Sequence, residues 1–483
     1  MDQTNVDETI VALATASGEA ALQLIRLSGP KAEAIMNACF RTNSKRWQRG
    51  DNYTLSLGWF YDEETKLDQV LVSRMMAPHS FTGENLFEIG CHGGTVTARR
   101  ILEACYKNGA RMALPGEFSK RAFLHGKLDL VQAEAIIDLI TAKNDSAADL
   151  AMRQIEGALS QRILEVRERL LEILAHIEAS LDFPEDEVDD LMARELREKI
   201  IRTQELLLEI LRGSKTGRII RDGLLTVIAG TPNVGKSSLL NALLREERAI
   251  VTEIPGTTRD EIHEYVNIGE IVLHLIDTAG IRESNDPIEI LGIERTWKAL
   301  NSADVVLLML DAAQIGPDKL RSRNNLSLLS SLSSEERTII RKHTKKTIVL
   351  LNKMDLLNKT DLAPAAEYDF LSRDSADESL AVIPFSVKTR LGFEALEKEL
   401  KRRAFEGERA PQEPLLSNMR QIQAAESSLD SLKKALEAIE AEIPFDLISI
   451  DIRRATEEVS TITGHQVQAD LMERIFARFC IGK

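Results

Sequence analysis

The sequence predicts a multi-domain α/β protein with three parts: an N-terminal α+β domain, an all-helical central domain, and a P-loop domain with a doubly wound sheet inserted into the helical part. Three observations predict it. Gly230-Thr231-Pro232-Asn233-Val234-Gly235-Lys236-Ser237 spells G-x-x-x-x-G-K-S between an apolar run at 224–229 and a helix-like stretch at 238–244. Helical periodicity dominates on both sides of the segment that follows that motif. Short β-like runs broken by glycine turns fill the first 118 residues. A chain of 483 residues exceeds what one core supports. Its composition, 43% hydrophobic and 28% charged, is that of an ordinary globular protein.

In chain order, residues 9–14, 22–27 and 70–72 read as strands, and 31–38 and 95–107 as helices. Together they make an α+β domain over 1–118. From 119 to 214 the texture is amphipathic helix, clearest at 163–174, with an acidic stretch at 182–190 and Pro184 punctuating two helices. That stretch reads as a solvated loop rather than a metal site. Residues 215–405 alternate strands and helices, with apolar runs at 272–276, 305–310, 347–351 and 382–385 that fit a mostly parallel sheet. Helices return over 406–483, at 422–439 and 452–462, so 119–214 plus 406–483 reads as one helical domain interrupted by the nucleotide domain.

The strand–loop–helix context turns the glycine motif into a phosphate cradle. Its backbone N–H groups point inward and the helix N-terminus adds partial positive charge. Lys236 would reach the β- and γ-phosphates, and Ser237 would ligate magnesium. Asn352-Lys353-Met354-Asp355 ends a later strand; a carboxylate at Asp355 can accept from the ring N–H and the exocyclic amine of guanine, which adenine does not offer. Ser386-Val387-Lys388 follows the next strand, where a loop would flank the base. Asp277-Thr278-Ala279-Gly280 places an acid near the metal and an N–H toward the γ-phosphate, and Thr258 in Gly256-Thr257-Thr258-Arg259-Asp260 is a second magnesium ligand. The set describes a GTP site on a Ras-like sheet.

Two expected parts are missing. The position after Asp-x-x-Gly, where signalling GTPases carry a water-orienting glutamine, is Ile281. Glu283, Asp286, Glu289 and Glu294 all follow, and spacing does not choose among them. No arginine finger is evident either. The Asn233 side chain, with carbonyls of 252–257, could cage a monovalent cation that offsets developing charge, although Asn233 could equally serve loop packing.

A formal net charge of −15 argues against bulk electrostatic coating of nucleic acid but leaves a local RNA site open. The four cysteines, Cys39, Cys91, Cys105 and Cys480, form no C-x-x-C pair, which favours reduced thiols and a cytoplasmic location. The acidic N-terminus has no basic n-region, and no apolar run reaches about 18 residues, so neither secretory signal nor membrane span is expected.

The order of these motifs, with Pro232-Asn233 in the phosphate loop and Asp277-Thr278-Ala279-Gly280-Ile281-Arg282-Glu283 downstream, resembles the MnmE (TrmE) family of tRNA-modification GTPases. So do flanks that generic GTPases lack: Ser80-Phe81-Thr82-Gly83-Glu84, Gly90-Cys91-His92-Gly93-Gly94, Pro115-Gly116-Glu117-Phe118-Ser119 through Lys127-Leu128-Asp129-Leu130, and the terminal Phe479-Cys480-Ile481-Gly482-Lys483. The likeness runs from about residue 8 to the end. It implies a homodimeric, potassium-activated GTPase that dimerises through the first domain and works with the FAD-dependent protein MnmG (GidA). Such complexes build an aminomethyl or carboxymethylaminomethyl group on C5 of the wobble uridine of certain tRNAs, from 5-formyltetrahydrofolate or a related folate and an amine donor.

The resemblance also implies site residues. GTP would contact Asn233 to Ser238, Thr252, Glu253, Ile254, Pro255, Gly256, Thr257, Thr258, the 277–280 motif, and the 352–355 and 386–388 segments. Potassium would fall on Asn233, Thr252, Ile254 and Thr257, magnesium on Ser237 and Thr258, and the catalytic water on Glu289, with Lys236 beside the phosphates. The folate contacts fall on Arg26, Glu88, Lys127 and Lys483; Arg or Lys suits a carboxylate tail, and Glu88 suits the paired N–H edge of a pterin. Cys480 is the thiol placed near the one-carbon chemistry, although it also reads as a buried helix cysteine. The terminal Lys483 does not fit a prenylation box. Departures are the turn Ser17-Gly18-Glu19-Ala20-Ala21, without the family's basic glycine-rich run, and a Ser-, Arg- and Lys-rich stretch at 314–346 that reads as a surface insertion. The competing reading is a ribosome-assembly or translation-associated GTPase switch, which would carry a basic RNA-binding module where this chain continues in helices.

Overall fold

The computed structural model describes residues 7–182, 189–246, 263–269, 271–276, 297–316, 331–357, 380–405 and 415–483. The chain divides into two compact units. The first comprises Met1–Ile137, Gln154–Thr203 and Ser427–Lys483; the second comprises Asp138–Arg153 and Gln204–Glu426.

In the first unit, β1 (Ile10–Leu13), β2 (Leu22–Ser28), β3 (Phe40–Arg41), β4 (Thr54–Asp62), β5 (Thr65–Met75), β6 (Leu86–His92) and β7 (Arg111–Met112) form a seven-stranded sheet in the order β3-β4-β5-β6-β2-β1-β7. All pairs are antiparallel except β1 with β7. Alternation assigns one face to the core. Ile25 and Leu27 of β2, Phe60 of β4, Val70 and Val72 of β5 and Phe87 and Ile89 of β6 pack with Ile35, Met36, Ala98, Ile101 and Cys105 of the helices Ala32–Cys39 and Thr95–Lys107. The opposite face carries Arg26 and Glu88.

The strands expected at 9–14 and 22–27 and the helices at 31–38 and 95–107 are present, and 70–72 belongs to the longer β5. Strand β4 gave no signal because its pattern is inverted. Thr54, Ser56 and Gly58 face inward while Leu55, Leu57 and Trp59 are exposed. Gly58 is required there, since a Cβ would lie 2.5 Å from the Phe40 ring and 2.6 Å from the Arg41 carbonyl.

The helix expected at 163–174 extends over Ala158–Asp182. Its stripe Ile163, Val166, Leu170, Ile173 and Ile177 is fully buried, and it packs along the helix Phe445–Thr463 through Ile448, Ile452, Ala455 and Val459. Arg167 Nε donates to Ser460 Oγ at 3.2 Å across that contact. Helices are described over Ala158–Asp182 and Asp189–Arg212, and the acidic residues between them, 183–188, with the solvated-loop reading, lie outside the described residues.

In the second unit, β8 (Leu224–Ala229), β9 (His263–Ile268), β10 (Ile271–Ile276), β11 (Val305–Asp311), β12 (Thr347–Asn352) and β13 (Ala381–Pro384) form a six-stranded sheet ordered β13-β12-β11-β8-β10-β9. Only β9 is antiparallel to its neighbour. Strand β11 is buried along its whole length, as a parallel strand covered on both faces must be. Strand β8 lies between β10 and β11, so the chain leaves its carboxyl end where the strand order reverses, the usual ligand crevice of an open α/β sheet.

The surface insertion expected at 314–346 is corrected in its second half. A capping box of Ser333 and Glu336 opens the helix Ser334–His343, and Leu332, Ile339 and Ile340 join the core with Val306, Leu308 and Val349. Residues 317–330 lie outside the described residues. No described helix is long and apolar enough to cross a membrane.

Candidate functional site

The phosphate-loop geometry follows from its glycines and one asparagine. Gly230 has φ 143° and Gly235 has φ 110°. A Cβ on Gly230 would meet the Met309 carbonyl at 2.4 Å, and one on Gly235 would meet Asn352 Nδ2 at 2.5 Å. Only glycine combines that backbone with that approach. Asn233 is left-handed at φ 62°, a conformation asparagine tolerates. Its side chain is exposed, so the packing alternative is corrected: Val234, 1% exposed, anchors the loop in the core. Lys236 opens the helix Lys236–Glu246 and donates from Nζ to the Gly230 and Thr231 carbonyls at 2.7 and 3.0 Å. Ser237 and Ser238 sit in the first helical turn, and both are exposed.

The 352–355 and 386–388 segments meet this loop. Asn352, at the end of β12, donates from Nδ2 to the Val234 carbonyl at 2.7 Å, and its Oδ1 accepts from the Val387 N–H at 3.2 Å. One buried amide therefore ties together all three segments that the sequence assigned to one nucleotide. Lys353 is left-handed at φ 66°, and its Nζ lies 2.6 Å from Asp311 Oδ2. Asp355 is exposed, and its Oδ1 accepts from Ser386 Oγ at 2.7 Å. Ser386 Oγ also accepts from the Thr389 N–H, fixing the turn that exposes Lys388. Asp311 was missed by the sequence reading; its signal is an acid closing an otherwise apolar strand. Thr252, Glu253, Ile254, Pro255, Gly256, Thr257, Thr258, Asp277, Thr278, Ala279, Gly280 and Glu289 lie outside the described residues, as do the alternatives Glu283, Asp286 and Glu294.

A second constellation lies in the first unit. Arg26 on β2 and Glu88 on β6 are cross-strand partners. Arg26 Nε and Nη2 both donate to Glu88 Oε1, at 3.0 and 2.7 Å, and Nη1 donates to the Gly482 carbonyl at 3.0 Å. Phe81 and Phe118 flank the guanidinium, with centroids 5.6 and 5.7 Å away. Arg26 is thus a held residue, 13% exposed in its side chain, rather than a free surface arginine. The chain terminus is held as well. Gly116 donates its N–H to the Cys480 carbonyl at 3.4 Å, and a Cβ on Gly482 would meet the Leu13 carbonyl at 2.4 Å.

Cys480 follows the helix Ala469–Phe476 and is exposed, which corrects the reading of it as a buried helix cysteine. Burial instead pushes the Cys39 and Cys91 thiols up to about 11. Lys127 is exposed in the turn after the helix Glu117–Leu124, and neither its ammonium nor that of Lys483 makes a hydrogen bond or ion pair among the described residues.

The Pro115–Phe123 motif is fixed by a buried charge network. Arg111 and Arg121 donate to Glu117, and Arg121 also reaches Glu84 and the Glu8 carbonyl. Burial pushes the Glu117 carboxyl up, but hydrogen bonds from Arg111, the Leu114 N–H and Arg121 outweigh it and hold the group below 4.5.

Comparison with known proteins accords with this arrangement. A family model described as the MnmE helical domain matches residues 130–480, and one described as the N-terminus of the GTP-binding protein TrmE matches 9–127. A Desulfitobacterium hafniense (strain Y51) protein named tRNA modification GTPase MnmE is 51% identical over 480 residues, spanning 99% of this chain and 100% of its own. An Alkaliphilus oremlandii (strain OhILAs) protein of the same name is 42% identical over 483 residues, spanning 99% and 100%. Among solved structures, the G domain of the T. maritima FeoB iron transporter is 26% identical with a TM-score of 0.25, covering 37% of this chain and 97% of that one. With such identity sustained from end to end, and helical and N-terminal models matching on either side of residue 128, the chain belongs to the MnmE family of tRNA modification GTPases.

Proposed function

We propose that this GTP-hydrolysing enzyme is activated by potassium and acts as a homodimer in the cytoplasm. With the FAD-dependent partner MnmG it modifies C5 of the wobble uridine of certain tRNAs, using the one-carbon unit of a tetrahydrofolate. The observation that carries the reading is the existence of two separately built sites. One is the phosphate loop tied to the base-side segments through Asn352 in the second unit. The other is the Arg26–Glu88–Gly482 constellation in the first. A simple GTPase switch has no use for the second. We adopt the division into domains 1–118, 119–214 plus 406–483, and 215–405.

The residues present fit the implied groups. The cradle at Gly230 and Gly235 is one that a Cβ would fill, Ser237 places an exposed hydroxyl at the helix start, and exposed Asn233 offers an oxygen donor. Ser237 and Thr258 would hold magnesium; Asn233, Thr252, Ile254 and Thr257 would hold potassium. Both cations supply positive charge where negative charge develops during phosphoryl transfer. Lys236 and the loop N–H groups bind and orient the phosphates, Asp355 selects guanine, and Glu289 orients the attacking water. In the first unit Glu88, steadied by Arg26, receives the N–H edge of the pterin. Lys127 and Lys483, whose ammonium groups are uncommitted among the described residues, receive the carboxylate tail.

The test is nucleoside analysis of tRNA from cells lacking the protein. The expected result is loss of the C5-substituted wobble uridine and its return on complementation. Unchanged nucleoside content refutes the reading.

A further inference from the structure

Asp311 closes β11 at the carboxyl edge of the sheet, directly opposite Asn352 in the register of β11 and β12. Its side chain is 6% exposed, a costly place for a carboxylate unless the charge is met. Two commitments meet it. Oδ1 caps the short helix Ala312–Ile315 by accepting from the Ala313 and Gln314 N–H groups at 3.0 and 3.4 Å. Oδ2 pairs with Lys353 Nζ at 2.6 Å. Lys353 needs that partner. It sits at φ 66° at the point where the chain turns out of the sheet, and a lysine side chain is otherwise free to swing into solvent. The pair holds the Lys353 ammonium on Asp311, next in sequence to the Asn352 that ties the phosphate loop through Val234.

We infer that Asp311 is a positioning residue for nucleotide binding: it fixes Lys353 in place so that the lysine stem forms one wall of the base site. This rests on the proposal that 352–355 receive guanine. The contact is to the base, so Asp311 governs GDP and GTP affinity by the same factor, unlike residues that touch the γ-phosphate. Asparagine is the informative replacement. Its oxygen can still cap Ala313 and Gln314, while its amide carries no charge for Lys353.

The experiment titrates the full chain with GDP carrying a fluorescent N-methylanthraniloyl group, in wild type, Asp311→Asn, Lys353→Met and the double variant, with a parallel series using a non-hydrolysable GTP analogue. The expected result is that Asp311→Asn raises Kd about tenfold or more for both nucleotides, and that it adds less than about twofold once Lys353 is Met. A cap alone would not couple to Lys353 in this way. If Asp311→Asn leaves Kd unchanged, or weakens binding equally in both backgrounds, the positioning role is refuted while the base-site reading stands. If Lys353→Met itself leaves Kd unchanged, the base-site reading fails and the inference with it. Should Lys353→Met not fold, Lys353→Gln supplies the second background.

Discussion

The most exposing perturbation of the nucleotide site is Gly235→Ala. The added Cβ would lie 2.5 Å from Asn352 Nδ2. Asn352 cannot swing away at little cost, because it is 4% exposed and both ends of its amide are committed, to the Val234 carbonyl and the Val387 N–H. Displacing it leaves a buried amide short of a partner, which costs about 1–3 kcal/mol. Alanine at φ 110° adds about 1–3 kcal/mol of backbone strain. The two terms fall on the conformation that binds nucleotide. Even their lower sum, about 2 kcal/mol, weakens binding about 30-fold. The assay is a fluorescent GDP titration, with Gly316→Ala as control. That glycine also has positive φ, but nothing among the described residues lies within 4 Å of the place its Cβ would take, so only the backbone term applies. Gly235→Ala binding within about threefold of wild type would refute the claim that Asn352 locks the phosphate loop.

Other consequences are as direct. Glu289→Ala should leave GTP affinity nearly intact and cut turnover by about 10²-fold, and wild type should hydrolyse GTP faster in potassium than in sodium; equal rates in both salts would remove the cation role of Asn233. Arg26→Ala frees Glu88 and the Gly482 carbonyl together, so tetrahydrofolate affinity by calorimetry should fall, and an unchanged value would undo the assignment of that site. Glu117 has a depressed folded pKa, so the stability it contributes is present above its unfolded value and is lost as pH falls through the folded one. The thermal midpoint of the wild type should therefore fall more steeply than that of Glu117→Gln between about pH 5 and 3; parallel curves would show that the network does not sense acid.

The candidate nucleotide segments were legible because their residues are consecutive. Each described motif follows a strand, and local chemistry, a glycine-rich turn or an acid after an apolar run, marks it without knowledge of the fold. The mostly parallel sheet was legible for the same reason, since buried parallel strands such as β11 are continuous apolar runs. Strand β4 was not, because the large side chains of Leu55, Leu57 and Trp59 face outward. The helix at 334–343 reads as surface because its charged residues outnumber the Leu332, Ile339 and Ile340 side chains that carry it into the core.

Sequence by itself determined the patterns that local order can encode: the phosphate-loop motif, the acid proposed to read guanine and the helical periodicity that frames them. Tertiary structure alone decided which distant residues share a hydrogen bond. It placed Arg26 against Glu88 and the carbonyl of Gly482, 456 positions away, and Lys353 against Asp311. The reason is physical. A buried charge must find its counter-charge wherever the packed chain brings one, and that position is set by strand register and helix packing rather than by separation along the sequence.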